Sequence, residues 1–382
     1  WTVVERLANG SGVPLLSLAG LFVAVGTGVG GEMGAFLQGT AVNMAAVTGR
    51  PLITAMKIQM EEQPLPLEQE EKSMQDKHYL DDWIHVPICQ KGDELYHYTT
   101  AEGIRGIVEN REFVATKSDF LNDKMEFQYA VEVMERLIER YIVNTDLRMQ
   151  FSAKLKAEID RIGIISSAHA ALDEDEMSFY VVAFSKQNNN SLLWAEFTDF
   201  RGYCLEFDYE KIVEGFRHRV FLHGTVIYDE EEQMNGLLES LLSCIHSLVE
   251  KGAKDLQGFF EEDAIPSEES LNQLVDAMAV VCSVYTMFFK KSYFAGEEEY
   301  RFIFPPLHYE KGQDRPQFRL LDQIFLPYIM VELETEQQEL PLQSVMVGAK
   351  NNRDIAVRGM KYFLKTQGLD IPVLLSDIPL RY

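Results

Sequence analysis

Leu95-Tyr96-His97-Tyr98-Thr99-Thr100 is the stretch on which the reading of this chain turns. Its counterpart, far along the sequence, is Gly296-Glu297-Glu298-Glu299-Tyr300-Arg301-Phe302. The first passes from an apolar, β-like run straight into a helix start; the second passes from an acid cluster into an apolar strand. Each sets polar groups beside a rigid element that can present them to a cleft. The expectation is that His97 and the acids of the second stretch meet over one small ligand.

Outward from the first stretch, residues 95–98 read as a strand. Thr99 with Glu102 three positions later reads as a capping box, and Ile104, Ile107 and Val108 share one face of the helix it opens. Phe113-Val114-Ala115-Thr116 is a second strand. Leu121-Asn122-Asp123 is a turn, and Asp123 with Glu126 opens a longer helix whose Phe127, Val131, Met134, Ile138 and Tyr141 keep helical spacing. Residues 179–185 form a buried strand ending at Ser185, followed by the polar run Lys186-Gln187-Asn188-Asn189-Asn190-Ser191 and then Leu192-Leu193-Trp194-Ala195. Residues 202–207 and 220–228 are further strands. Helical periodicity over 231–290 marks an insertion, with Leu237, Leu241, Ile245 and Leu248 on one helix and Leu271, Leu274, Met278 and Val281 on the next. Strands return at 300–304, 325–332 and 345–347, and a helix over 354–365 and a strand at 373–375 close the chain. Strands and helices are grouped rather than alternating, so the fold class is α+β.

Bulk properties narrow the function. At 382 residues there is material for one large domain or two ordinary ones. A formal net charge of −25 argues against a protein whose main work is gripping nucleic-acid phosphates. Cys89, Cys204, Cys244 and Cys282 are scattered without a CxxC, and neither His85 with Cys89 nor Cys244 with His246 has further ligands nearby in sequence. The expectation is reduced thiols in a cytoplasmic setting and no metal.

Residues 1–60 stand apart. No charged residue occurs from Leu7 to Gly31. A membrane span needs about 20 predominantly apolar residues, and residues 12–40 are the one place this chain offers for it. A signal peptide would need a basic n-region, which is missing here. Gly26-Thr27-Gly28-Val29-Gly30-Gly31 after an apolar run fits a phosphate loop, but Met44-Ala45-Ala46-Val47-Thr48 stands where that motif expects an acid. The segment reads as an appendage of unassigned role. Residues 61–77, Glu/Gln/Lys-rich and broken by Pro64 and Pro66, read as a linker to a compact domain over 78–382.

The series LYHYTT, LNDKMEF, AFSKQNNNSLLWAEF, RGYCLEFD, EEEYRF, SVMVGAK and VLLSDIPLRY resembles, in order, the bacterial family called domain of unknown function 2971, over about residues 94–382. More distantly, a strand carrying His, a capped helix and a short second strand resemble the opening of ADP-ribosyltransferase-type folds. That resemblance implies a split β-core wrapped around NAD, with no metal. It puts His97 in the first-strand place, Ser185 in the middle place, and Glu299 or Glu297 in the late acidic place. The histidine-type pattern has a stacking tyrosine in the middle element, where this chain offers Trp194, or Tyr180 on the strand itself. Tyr98, Asn122 and Arg301 complete the implied ligand contacts.

The chemistry fits those residue types. Breaking the nicotinamide–ribose bond passes through an oxocarbenium-like sugar, which one placed carboxylate can stabilise. A histidine can donate to the other ribose, an aromatic face can stack on nicotinamide, and a hydroxyl can hold its carboxamide. On an extended strand Glu297, Glu299 and Arg301 would share a face and Glu298 would not. Plainer readings stand beside these: His97 as a satisfied core histidine, Trp194 as core, Asn122 as a helix cap, Ser185 bonded to backbone, and Arg301 in an ordinary salt bridge. The functions in view are an NAD-consuming enzyme that transfers ADP-ribose to a macromolecular acceptor or hydrolyses NAD, as a toxin or defence effector; a non-catalytic nucleotide-sensing module; and a structural or membrane-associated interaction protein.

Overall fold

The computed structural model describes residues 83–121, 126–162, 179–305, 316–321, 323–334, 339–351 and 353–379. The appendage, the linker and Asn122 lie outside the described residues. In chain order the elements are β1 (Glu94–Thr99), α1 (Ala101–Asn110), β2 (Glu112–Lys117), α2 (Glu126–Tyr141), α3 (Thr145–Ile162), β3 (Tyr180–Ser185), α4 (Ser191–Thr198), β4 (Tyr203–Asp208), α5 (Tyr209–Phe216) and β5 (Leu222–Thr225). Then come α6 (Glu230–Glu250), α7 (Glu268–Tyr285), β6 (Glu299–Phe304), β7 (Gln317–Leu321), β8 (Ile324–Glu332), β9 (Leu342–Val347), α8 (Arg353–Thr366) and β10 (Val373–Leu375). The class is α+β with a mixed sheet.

These elements sort into two compact units. One is helical and takes its helices from Met125–Met177 and Glu230–Phe289; the other holds every described strand, from Val86–Lys124, Ser178–Asp229 and Lys290–Tyr382. The helices expected over 231–290 therefore form, and they share their unit with α2 and α3. In that unit α3 buries Leu147, Phe151, Leu155 and Ile159, one per helical turn, and packs most closely on α7. Ser267 caps α7 by accepting the Ser270 N–H, and Asp255 in turn accepts from the Ser267 N–H. Among the described residues no helix is long and apolar enough to cross a membrane.

In the other unit the sheet runs β10-β9-β4-β1-β3-β2-β8-β7, with β6 and then β5 added on β3. Every described strand pair is antiparallel except β9–β10. The main core fills one face: Leu95, Phe113, Phe184, Leu205, Phe207, Phe302 and Val345 meet Ile104 and Ile107 of α1, Ile212 and Phe216 of α5, and Met360 and Leu364 of α8. On the other face Tyr96, Tyr98 and Cys204 pack with Leu193 and Trp194 of α4. Because both faces are covered, β1 reads as a nearly continuous apolar run. The cap of α1 falls one residue later than the capping box places it: Thr100, not Thr99, accepts the Gly103 N–H. Gly202 is required before β4, since a Cβ there would lie 2.3 Å from the Thr99 carbonyl oxygen.

Asp276 on α7 is a cost built into the helical unit. Burial, then Glu158, push its carboxyl up to about 7, with Arg161 pulling the other way. The unfolded carboxyl titrates near 3.9. A folded pKa above the unfolded one means stability falls as pH rises between those values and stays low above the higher one. Asp276→Asn is therefore expected to stabilise the protein at about pH 8, by on the order of 1–3 kcal/mol, and to change little at about pH 4. Urea unfolding of wild type and variant at both pH values checks this.

Candidate functional site

The approach to β6 builds the most concentrated polar chemistry in the strand-bearing unit. A 3₁₀ turn over Ser292–Glu297 ends at Glu298, whose φ of 43° and ψ of 50° are left-handed. Glu297 is therefore not on the strand, and the alternation argument does not apply to it. The two carboxylates still meet, because Lys290 lies between them: its Nζ is 2.5 Å from Glu297 Oε2 and 3.5 Å from Glu299 Oε2. Arg301, two along β6 and on the same face as Glu299, donates from Nε (3.0 Å) and Nη2 (2.7 Å) to Glu299 Oε2. None of the four residues is more than 8% exposed.

Backbone contacts fix this cluster in place. Ser185 Oγ donates to the Glu297 carbonyl (2.7 Å) and accepts the Gln187 N–H (3.0 Å). The Lys186 N–H donates to the Glu298 carbonyl, and Gln187 Nε2 to the Glu298 carboxylate. On the far side of β6 the Glu299 N–H donates to the Tyr228 hydroxyl at 3.0 Å. The electrostatics split the two acids. Burial, reinforced by Glu299, pushes Glu297 up to about 7, against the pull of Lys290. Burial acts on Glu299 in the same direction, but Arg301 and Lys290 outweigh it and hold that carboxyl below its ordinary range.

His97 lies elsewhere. Directly opposed residues in a sheet share a face, so Tyr96, Ser185 and Glu299, aligned across β1, β3 and β6, share one. His97 takes the other face, with its ring 5.3 Å from that of Phe184 and 5.7 Å from that of Phe113. The expected single pocket of His97 and Glu299 is not what the register builds. Its reason for being there is the splitting of the sheet. β6 occupies one edge of β3 along its whole length, while β1 reaches the other edge at Ser185 and β2 reaches it at Tyr180 and Val181. The Ala183 carbonyl faces the gap between them, and His97 Nδ1 donates to it at 3.0 Å. A carbonyl oxygen only accepts, so Nδ1 carries the proton; burial lowers the ring's pKa to about 4, so it is neutral at pH 7. Nε2 is then a bare acceptor, with no hydrogen-bond partner among the described residues.

The aromatic residues are core. Trp194 is 0% exposed, packs edge-on against Tyr98 at 5.1 Å and donates its Nε1–H to Asn189 Oδ1. It has no open face for a nicotinamide ring. Tyr180 is buried as well. The Tyr98 hydroxyl donates to the Gln187 carbonyl and accepts the Asn190 N–H. Asn189 also accepts from Ser376 Oγ and donates to Asp377, which ties the end of the chain to the loop after β3. The structure thus brings Ser185, Glu297, Glu299 and Arg301 together, puts His97 on the opposite face of the sheet, and uses Tyr98 and Trp194 as core on the cluster's own face.

Lys290 and Tyr228 escape a reading of the sequence. Lys290 follows Phe288-Phe289 at the end of a helical stretch, and nothing in its spacing shows that a short 3₁₀ turn brings it back to β6. Chemically the cluster can hold one carboxylate ionised and keep a proton on its neighbour near neutrality. Arg301→Leu is expected to cost roughly 3–5 kcal/mol, because it leaves the buried Glu299 with Lys290 alone to share with Glu297. A fall in the midpoint of urea unfolding with the slope unchanged is the expected readout.

The comparisons with known proteins cover the cluster and leave out His97. Residues 193–302, which include Lys290, Glu297, Glu299 and Arg301, match the model of a protein family of unknown function, DUF2971. No curated protein and no solved structure matches the chain.

Proposed function

We propose that the strand-bearing unit is a nucleotide-binding domain of ADP-ribosyltransferase-like type, taking NAD or another ADP-ribose-bearing ligand where its sheet splits. The observation that carries this reading is the fork on the edge of β3. Two strands part there, and His97 stands in the gap with its Nε2 lone pair uncommitted among the described residues. The ion cluster then serves as the frame that fixes β6 to β3. Both of its carboxylates are engaged by Lys290 or Arg301. Those cations cancel much of the field that a developing oxocarbenium would need. On this reading the domain senses a nucleotide without turning it over.

A second reading, that of an NAD-consuming enzyme, has its own support. Glu297 titrates near 7 while Glu299 stays ionised. One carboxyl that keeps its proton beside one that does not is an arrangement from which acid–base pairs are built. In that case Glu299 steadies the ribose, and the acceptor is water or a macromolecule.

Incubating the full chain with NAD, with nicotinamide release and calorimetric binding followed in parallel, separates the two. Sensing predicts binding without release, and Glu299→Gln leaving affinity within about threefold, provided it folds. Release by the wild type that Glu299→Gln abolishes overturns sensing in favour of the enzyme. Neither binding nor release removes both.

A further inference from the structure

The hairpin of β7 and β8 ends the sheet with its apolar side chains left in water. Phe318, Leu320, Leu321, Ile324 and Phe325 are each more than half exposed, and no other described stretch exposes large apolar side chains so densely. Strand register places three of them on the face of the main core. Ile329 and Val331 of β8 belong to that core. Phe325 and Pro327 share their face by alternation, and Leu320 and Phe318 stand opposite those two on β7. The apolar face of the sheet therefore runs on to its last strand. No described strand pairs with the outer edge of β7. Edge strands in soluble proteins are usually blunted by charges, proline or a bulge. β7 has one charge, Arg319, whose guanidinium is drawn back over β8 to the Thr116 hydroxyl at 3.2 Å.

That edge fits a second copy of itself. Leu321 and Ile324 are opposed across a two-residue connection, and such a connection closes on a hydrogen-bonded pair. Pairs alternate from there, so Gln317, Arg319 and Leu321 turn their N–H and C=O towards β8, while Phe318 and Leu320 turn theirs outward. A two-fold axis through Arg319 sets Phe318 opposite Leu320 of the copy, and Leu320 opposite its Phe318. Both pairs can exchange their outward backbone bonds. On the core face Phe325, Leu320, Phe318 and Pro327 then form two apolar rows across four strands. Arg319 meets its own copy at the axis with its guanidinium already directed away. Any extended peptide could match the backbone, but the symmetric pairing also supplies an apolar side chain opposite each outward residue. The five exposed side chains offer on the order of 500 Å² per copy, close to the roughly 1,000 Å² in total that marks the lower bound of specific association.

We infer that β7 is a self-association edge, on which two copies of this chain pair antiparallel about Arg319 into one continuous sheet. The inference is independent of the nucleotide-binding reading. The contact is apolar, and each copy carries a formal charge of −25. Copies repel at long range, so added salt tightens the dimer by screening that repulsion. An acidic partner held by Arg319 would instead loosen as salt rises.

Sedimentation equilibrium on the full chain tests it. The expected result is a dimer that dissociates on the order of 1–100 μM and tightens with salt. Leu320→Lys puts a charge into both apolar pairs and is expected to weaken the dimer at least about tenfold. Its circular dichroism should match the wild type, because Leu320 is exposed. Arg319→Cys sets a thiol opposite its own copy with the Cα atoms about 4.5 Å apart, within disulfide reach. Gln317→Cys has no such opposite, and the four native cysteines are buried. Under mild oxidation the Arg319→Cys variant is therefore expected to cross-link into dimers at least about tenfold faster than Gln317→Cys. A wild type that stays monomeric overturns the inference; if Leu320→Lys then lowers its unfolding temperature, a segment of the same chain holds the edge instead. A dimer that salt loosens, that Leu320→Lys leaves intact, or in which both cysteine variants cross-link equally also overturns it.

Discussion

β3 has one edge for two strands, and the architecture of the strand-bearing unit follows from that constraint. Its other edge is filled by β6 over all six residues, so β1 and β2 must divide what remains. β1 takes the Ser185 end and carries β4, β9 and β10 with it; β2 takes the Tyr180 end and carries β8 and β7. The division would leave the half-buried Ala183 carbonyl without a partner, a loss of up to about 1–3 kcal/mol where such a group is shut off from water. His97 supplies the missing donor. The imidazole is a structural plug on one nitrogen and, among the described residues, an open acceptor on the other, and both properties come from the same tautomer.

The ion cluster at β6 answers a different problem. Taking four ionisable side chains out of water costs several kcal/mol for each charge, and their mutual attraction only roughly repays it. The arrangement is therefore weak evidence of added stability and better evidence of a specified geometry. Its connections support that view. Ser185, Lys186 and Gln187 hold residues 297–298 from the end of β3, Tyr228 holds Glu299 from the far side, and Lys290 closes the group. A shift of β6 by one residue would turn Glu299 and Arg301 into the aromatic core of Phe184, Phe216 and Phe302. The charges thus act as a register lock, whatever chemistry they also perform.

Much of this was legible in the residues, and the failures have physical causes. Runs such as Phe113–Thr116 and Tyr203–Phe207 read as strands because β-branched and aromatic residues lie between turn signals. Opposed faces could not be read. In β1 both Leu95 and Tyr96 are buried, so alternation is silent about which side His97 takes. Glu297 and Glu299 meet at Lys290, but not through strand alternation, because the left-handed Glu298 breaks the strand before it starts. No composition rule forecasts a glutamate at positive φ. α3 leaves a signal in the sequence, since Leu147, Phe151, Leu155 and Ile159 keep helical spacing and are all buried. β7 leaves none: Gln317–Leu321 is exposed on both faces and has no buried side to impose a period.

The two chemically interesting places are therefore unequal in kind. At β6 the polar groups are sealed and mutually satisfied, and their partners arrive from both neighbouring strands and the loops after them. At the fork the polar chemistry is sparser and partly exposed: His97 Nε2 meets no donor among the described residues. Groups that satisfy one another mainly specify a fold, whereas half-buried polar groups left unmatched carry a cost that a ligand can remove. The family match spans the first place and stops short of the second. If the fork is where a ligand binds, the shared part of the chain supplies the frame. The residue that meets the ligand there, His97, then comes from β1, outside it. On that division Glu299 matters to the ligand through the position of β3, whose edge carries both the cluster on one side and the fork on the other.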